Sequence, residues 1–242
     1  MKIGFYGESF CAELSNAHSW YHNYTPYTKK IKDHYSADIV NLGIGGSSYW
    51  DIMLKQFPPA LDNLPDVCIF CWTHPSRIYH PSVRNIGYWV MNRAPDFTKL
   101  INYKKYNAAQ QYFTHLYDEE KSEREQVSAF FHFDLTVLSQ LHEKTKIIHL
   151  WSFGSTQQTD QENPYYPENI RYSYRWKHGH EIRPSLKCFS AIGRDTLNDD
   201  SAANHLGSEQ NNTMVADMII SAIDNYSSGS LTVHPIDTTI NT

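Results

Sequence analysis

The chain has 242 residues, of which 40% are hydrophobic, and it can bury the core of one α/β domain. Its net charge is -5 and its lysines and arginines are scattered, which argues against nucleic acid or an anionic membrane surface as the main partner. The sequence shows neither a secretory signal nor an apolar run of the ~18 residues that span a bilayer. We therefore expect a cytoplasmic protein with no membrane partner.

The first predicted strand opens the chain. A β-rich run begins at Lys2 and ends in residues 7–9 (GES), so Ser9 lies at the carboxyl end of the strand. Ligands of α/β sheets bind at that edge, where backbone N–H groups converge. A serine there is often a helix N-cap, but its hydroxyl is also placed for nucleophilic attack. The segment alone leaves both interpretations open.

A glycine-rich turn, residues 43–48 (GIGGSS), follows the second predicted strand, residues 37–42. It falls at the same edge of the sheet as Ser9. Three glycines in four positions let the backbone approach a ligand and offer its N–H groups, although a tight turn would need the same residues. The pattern fits neither GxGxxG nor the phosphate loop, so a nucleotide is not expected.

The third predicted strand, Val67–Trp72, brings Thr73 and His74 to the same edge. Cys68 and Cys71 have the spacing of a redox or zinc motif, but alternation along a strand points the two thiols to opposite faces. We therefore expect reduced thiols and no metal. The aromatic residues of the next segment, 78–97, are expected to wall a pocket.

The second half of the chain continues the alternation of helices and strands. Residues 102–142 are predicted to be helical with a break near 117–122, and Lys146–Trp151 is the fourth strand. A fifth strand is expected at 186–190, after a long loop at 156–183 whose His-Gly-His lacks a partner ligand for a metal. Helical spacing assigns six apolar side chains to the core: Phe130, Phe131, Phe133, Leu135, Leu138 and Leu141.

This alternation predicts a single-domain, three-layer α/β sandwich: a flavodoxin-like parallel sheet of about five strands with helices on both faces. The domain is expected to span residues 1–226, followed by a polar tail at 227–242. The last helix, residues 208–223, is preceded by a loop that carries Asp199, Asp200 and His205. An imidazole there could activate a serine, although a solvent-exposed loop histidine has the same appearance.

In this order along the chain, the segments resemble the SGNH, or GDSL-like, family of hydrolases. Residues 7–10 (GESF) resemble its first block, which holds the nucleophile, with Glu8 in place of the usual aspartate. Residues 41–46 (NLGIGG) resemble its second block, whose last glycine donates a backbone N–H to the oxyanion. Residues 200–206 resemble its last block, which supplies the histidine base.

Two blocks depart from the family pattern. The third block of the family carries an asparagine that donates to the oxyanion, whereas this chain has Thr73 and His74, so either one of them substitutes or this donor is absent. The acid of the family stands three residues before the histidine, where this chain has Ala202. Asp200 is therefore the expected acid; the alternatives are Asp199 and a Ser-His dyad without a carboxylate.

The resemblance implies a serine esterase or acyl hydrolase that needs no metal or organic cofactor. Ser9 would attack the ester carbonyl, His205 would take its proton, and Asp200 would orient His205. The backbone N–H groups of Ser9 and Gly46 would bind the oxyanion. The aromatic loops favour an O-acylated carbohydrate as the substrate. Two alternatives stay open: an acyltransferase that uses the same serine, and a glycan- or acyl-binding protein that has lost turnover.

Overall fold

One parallel sheet organises the molecule. The computed structural model describes residues 1–11, 25–81, 86–87, 103–152, 174, 176–182, 206 and 208–227. The sheet has the spatial order β2-β1-β3-β4-β5 and all its neighbouring strands are parallel. This is the flavodoxin-like order, which confirms the predicted fold class. The strands are β1 (Lys2–Gly7), β2 (Asp38–Asn41), β3 (Val67–Trp72), β4 (Lys146–Trp151) and β5 (His180–Glu181).

The α-helices of the described residues are α1 (Tyr27–Tyr35), α2 (Tyr49–Asp51), α3 (Tyr103–His115), α4 (Glu119–Thr136) and α5 (Glu209–Asp224). The short α2 continues into a π turn, Ile52–Gln56, and a 3₁₀ turn, Pro58–Asn63. Side-chain caps explain where two helices begin: Asp118 accepts the N–H of Lys121 at 2.9 Å, and Ser208 accepts that of Asn211 at 3.1 Å. None of the helices described is long and apolar enough to cross a membrane.

The sheet is covered on both faces. Alternation along β3 places Cys71 in one core and Cys68 in the other, as predicted. Alternate strand residues pack on one face against α1 and α5, through Ile31, Val215 and Ile219. Those of the other face pack against the π turn and α4, through Ile52, Phe57, Phe130 and Phe133.

The prediction for the apolar side chains of α4 was partly wrong. Phe130 and Phe133 are buried, but Phe131 is 49% exposed and Leu135 is 37% exposed. Successive helical residues are rotated by about 100°, so Phe131 and Leu135 point away from the face that carries Phe130 and Phe133. A dense apolar run therefore overstates how much of a helix faces the core.

The fifth strand differs from the prediction. It lies at His180–Glu181, in the segment predicted to be a loop, whereas residues 186–190 lie outside the described residues. Gly179 has a φ of 101° at its entry, and a Cβ there would come within 2.8 Å of the carbonyl oxygen of Ile147, so glycine is required. The carbonyl oxygen of Ser227, the first residue of the predicted tail, lies 3.1 Å from Nε2 of His180.

The approach to β5 is held by a buried carboxylate. Asp134 of α4 accepts hydrogen bonds from the hydroxyl of Tyr174 and the N–H of Lys177, both at 2.7 Å. Its other oxygen lies 2.8 Å from Nδ1 of His178. A buried carboxylate needs such partners to offset its desolvation. His178 is thus turned toward α4, while His180 lies against Ser227.

His149 on β4 is a fully buried histidine whose tautomer is fixed by its neighbours. The indole N–H of Trp72 donates to its Nδ1 at 3.0 Å, so the ring proton is on Nε2 and is donated to the carbonyl of His178 at 3.0 Å. The ring also stacks on Trp176 at 4.0 Å. Burial disfavours the charged imidazolium and lowers the pKa of His149 to about 3.

This shift predicts that the fold loses stability in mild acid. Below the ordinary histidine pKa of about 6.5 the unfolded chain binds a proton that folded His149 does not bind, so the free energy of unfolding falls by up to about 1.4 kcal/mol per pH unit. The loss begins near pH 6.5 and continues toward pH 3. Urea unfolding at pH 7 and pH 4.5 measures it.

A matched pair of variants isolates the contribution of His149. His149→Gln should reduce the difference in unfolding free energy between the two pH values, whereas His34→Gln, on the exposed side of α1, should leave it unchanged. The same pH dependence in the original protein and in His149→Gln would contradict this assignment.

Candidate active site

Three strand ends meet at one edge of the sheet. Gly7 pairs with Cys71, so the residues after β1 and β3 leave the sheet side by side. The turn after β2 joins them, because the N–H of Ile44 donates to the carbonyl of Gly7 at 3.0 Å. A Cβ on Gly45 would lie 3.8 Å from the Cβ of Ser9. The structure thus brings the predicted nucleophile and the glycine-rich turn together.

A buried glutamine ties these two segments to each other. Oε1 of Gln56 accepts the N–H of Gly7 at 2.7 Å, and its Nε2 donates to the carbonyl of Gly7 and to Oγ of Ser47, both at 2.9 Å. Gln56 was not predicted from the sequence. The available signal was a polar residue three and four positions after Met53 and Ile52, the spacing that places it on their apolar side of a helical turn.

Gly46 has the backbone conformation that the glycine-rich turn requires. Its φ is 77°, a region that residues with a Cβ rarely occupy. The turn is closed by the N–H of Ser47, which donates to the carbonyl of Ile44 at 3.2 Å. The turn interpretation is therefore correct, and the predicted oxyanion donor sits within that turn.

Ser9 is half-buried, and its hydroxyl donates to Oε2 of Glu8 at 2.5 Å. The side chain of Glu8 is fully buried: its Oε1 accepts the N–H of Phe10 at 3.1 Å, and its Oε2 lies 3.7 Å from Nη2 of Arg77. Within residues 1–11 the hydroxyl of Ser9 thus bonds a carboxylate. The N–H group of residue 12, which a helix N-cap at Ser9 would bond, lies outside the described residues, so the N-cap interpretation stays open.

His74 offers a hydrogen-bond donor beside this edge. The backbone N–H of Ser76 donates to its Nδ1 at 3.1 Å, so the neutral ring carries its proton on Nε2. Burial, reinforced by the nearby charge of Arg77, lowers the pKa of His74 to about 4, so the ring is neutral at pH 7. Nε2 is buried and has no hydrogen-bond partner among the described residues.

Thr73, the other candidate donor, is also buried. Its Oγ1 has no partner within the described part of the chain. Its carbonyl accepts Nε2 of Gln126 at 3.0 Å, a contact from α4 that the sequence analysis did not identify. Both residues after β3 therefore bring to the edge a buried polar atom that no described residue bonds.

The predicted base and acid, His205, Asp200 and Asp199, lie outside the described residues. The next residue, Leu206, is buried against α5, and its carbonyl accepts Nδ2 of Asn212 at 2.6 Å. No group of three or more His, Cys, Asp or Glu side chains that could hold a metal occurs in the part of the chain that the structure describes.

A cleft of about 760 Å³ opens beside Arg77. Its walls are largely aromatic and include Trp50, Tyr79, Tyr112 and Tyr117. Because Arg77 also faces Glu8, the cleft adjoins the edge that holds Ser9. Of the segment predicted to wall a pocket, residues 78–97, the structure describes 78–81 and 86–87, and Ile78, Tyr79, His80 and Ile86 line this cleft.

No protein-family model matches this chain, and no curated protein matches it. Several solved structures are similar over 92% of its length. One, described as a GDSL-like lipase from Parabacteroides merdae, has 16% identity over 95% of that chain and a TM-score of 0.49. The psychrotrophic esterase EstA from Pseudoalteromonas sp. has 10% identity over 96% of its chain and a TM-score of 0.45. The acetyl xylan esterase AlAXEase has 15% identity over its whole chain and a TM-score of 0.48. Any function of this chain therefore rests on its own residues.

Proposed function

We propose that this chain is a serine esterase that works through an acyl-enzyme on Ser9. The observation that carries the proposal is the convergence at one sheet edge of a half-buried serine, the Gly46 turn and the Nε2–H of His74, which has no partner among the residues that the structure describes. A nucleophile and hydrogen-bond donors at such an edge are the parts that acyl transfer requires.

The reaction begins when Oγ of Ser9 attacks the carbonyl carbon of the ester while His205 takes the hydroxyl proton. Asp200 orients His205 and stabilises its charged form. The carbonyl oxygen becomes an oxyanion, which accepts hydrogen bonds from the backbone N–H groups of Ser9 and Gly46 and from Nε2–H of His74. Collapse of this intermediate breaks the bond to the alcohol, which leaves with the proton from His205.

Water then completes the turnover. His205 takes a proton from a water molecule, whose oxygen attacks the acyl carbon on Ser9. The second tetrahedral intermediate uses the same donors and collapses to release the carboxylic acid, while the proton returns to Oγ. Glu8 holds the hydroxyl in the resting state, and Arg77 balances the charge of the buried carboxylate. The aromatic cleft supports an O-acylated carbohydrate as the substrate.

Covalent labelling tests the proposal directly. A fluorophosphonate should form one adduct per chain, and peptide mass spectrometry should place it on Ser9, because activated serines attack phosphorus as they attack an acyl carbon. Ser221→Ala, an exposed serine of α5, should label as the original protein does. Absence of an adduct on protein shown to be folded by circular dichroism would refute both the esterase and an acyltransferase on this serine.

A further inference from the structure

The aromatic cleft has a second cleft as its neighbour. The first, of about 760 Å³, and the second, of about 880 Å³, share two lining residues, Trp50 and Glu125. The second follows α4 through Lys121, Arg124 and His132. Either volume suits a small organic ligand, so the two together suit a longer one. We call this combined feature the α4 groove.

Trp50 is the large aromatic surface where the two clefts meet. It is 37% exposed, although its neighbours Tyr49 and Asp51 are buried. The backbone beneath it is fixed by a capping box, in which Ser48 and Asp51 bond each other reciprocally. The buried ring of Tyr49 packs beside the Trp50 ring, with 5.5 Å between centroids and 35° between planes. An indole held in this way loses little conformational entropy when a ligand stacks on it.

The same segment links the groove to the chemistry. Gly46, the proposed oxyanion donor, precedes Trp50 by four residues, and Ser47 between them is tied to β1 by Gln56. At the other side of the first cleft, Arg77 faces the Glu8 carboxylate that holds Ser9. A ligand that lies on Trp50 in the first cleft therefore shares that cleft with Arg77, whose guanidinium lies 3.7 Å from the Glu8 carboxylate that holds Ser9.

The charges along the groove favour a neutral ligand. Lys121 lies 3.5 Å from Glu125, and Arg124 pairs with Glu120, so opposite charges on α4 neutralise each other. A polyanion would need an excess of basic residues. Aromatic faces flanked by paired, exposed polar side chains suit a sugar ring, because its C–H face packs on the indole and its hydroxyls can bond the polar groups.

We propose that the α4 groove binds a neutral oligosaccharide several sugars long, with Trp50 stacking on one ring while the acylated sugar reaches Ser9. This proposal rests on the proposed esterase function for the last step but not for binding. It makes Trp50 a residue that selects long substrates over short ones.

The binding test uses Ser9→Ala protein and unsubstituted xylo-, cello- and manno-hexasaccharides, followed by tryptophan fluorescence and calorimetry. At least one hexasaccharide should bind, and its disaccharide should bind more weakly. Adding Trp50→Ala should weaken binding about 5- to 10-fold, the effect of one aromatic contact. Phe131→Ala is the matched control. Phe131 of α4 is an exposed aromatic residue, as Trp50 is, but it does not line the groove.

A kinetic test separates the groove from the chemistry. We compare kcat/KM for an acetylated form of the bound oligosaccharide with kcat/KM for p-nitrophenyl acetate. Trp50→Ala should lower the ratio of the two values about 5- to 10-fold, and Phe131→Ala should leave it unchanged. An unchanged ratio in Trp50→Ala would overturn the proposal.

The two proposals fail in different ways. Lack of binding by every neutral hexasaccharide, or preferential binding of a sulfated one, would overturn the groove assignment even if Ser9 is an esterase. Hexasaccharide binding that depends on Trp50, in protein that neither labels with fluorophosphonate nor hydrolyses esters, would support the groove and refute the esterase.

Discussion

Replacement of Ser9 by alanine is expected to lower kcat/KM for p-nitrophenyl acetate by about 10⁴-fold or more, because the acyl-enzyme can no longer form. The hydroxyl is half-buried and its hydrogen bond runs to the adjacent Glu8, so the thermal midpoint of unfolding should change little. Initial rates at saturating and subsaturating ester, with a thermal melt of each protein, measure both effects.

The control for this experiment is the neighbouring thiol. Cys11 lies two residues further on, but it is buried, and burial raises its thiol pKa well above the usual value. A thiol kept protonated is a poor nucleophile. Substantial activity in Ser9→Ala would contradict the assignment of Ser9 and would direct attention to Cys11.

Loss of the His74 imidazole should produce the second large effect. If Nε2–H donates to the oxyanion, His74→Ala should lower kcat by ~10²–10³ with little change in KM, because the bond forms mainly in the transition state. His74→Asn keeps a side-chain N–H donor and should recover part of the rate. Full kinetics with a short ester measure the division between kcat and KM.

Thr73→Val is the matched control for His74, since it removes the neighbouring hydroxyl with little change of volume. It should leave kcat within about twofold if His74 is the donor. A large loss in Thr73→Val together with a small one in His74→Ala would reverse the assignment. The imidazole of His74 stays neutral above its pKa of about 4. His74 should therefore add no titration step to the pH profile of kcat between pH 5 and 8.

The sequence was most informative where an element carries its own signal. The bounds of β3 and β4 were predicted correctly because β3 is a continuous apolar run and β4 is apolar apart from Lys146 and His149, as suits parallel strands buried on two faces. β5 has only two polar residues, His180 and Glu181, and pairs with β4 because Asp134 holds its approach. Such a strand depends on partners far away in sequence, which no local pattern reveals.

The residues of the candidate site also fall into those that the sequence indicated and those that it did not. Motif order along the chain indicated Ser9, the Gly46 turn and the residues after β3, and the structure places these at one edge. Motif order did not indicate Gln56 or Gln126, whose side chains bond backbone groups of that edge. Hydrogen bonds from a side chain to a distant backbone carry almost no sequence signature, since they depend on where two elements meet.

The π turn after α2 makes the sheet edge that holds Ser9 depend on the number of residues in that turn as well as on their type. There the N–H of Phe57 bonds the carbonyl of Ile52, five residues back, so the turn holds one residue more than an α-helical turn would. Because that extra residue is already absorbed by the π turn, one further residue inserted between Trp50 and Gln56 would rotate the residues after it by about 100° about the helix axis. The amide of Gln56 would then point away from Gly7 and Ser47. An insertion in this turn would therefore disconnect the nucleophile from the glycine turn without altering either one.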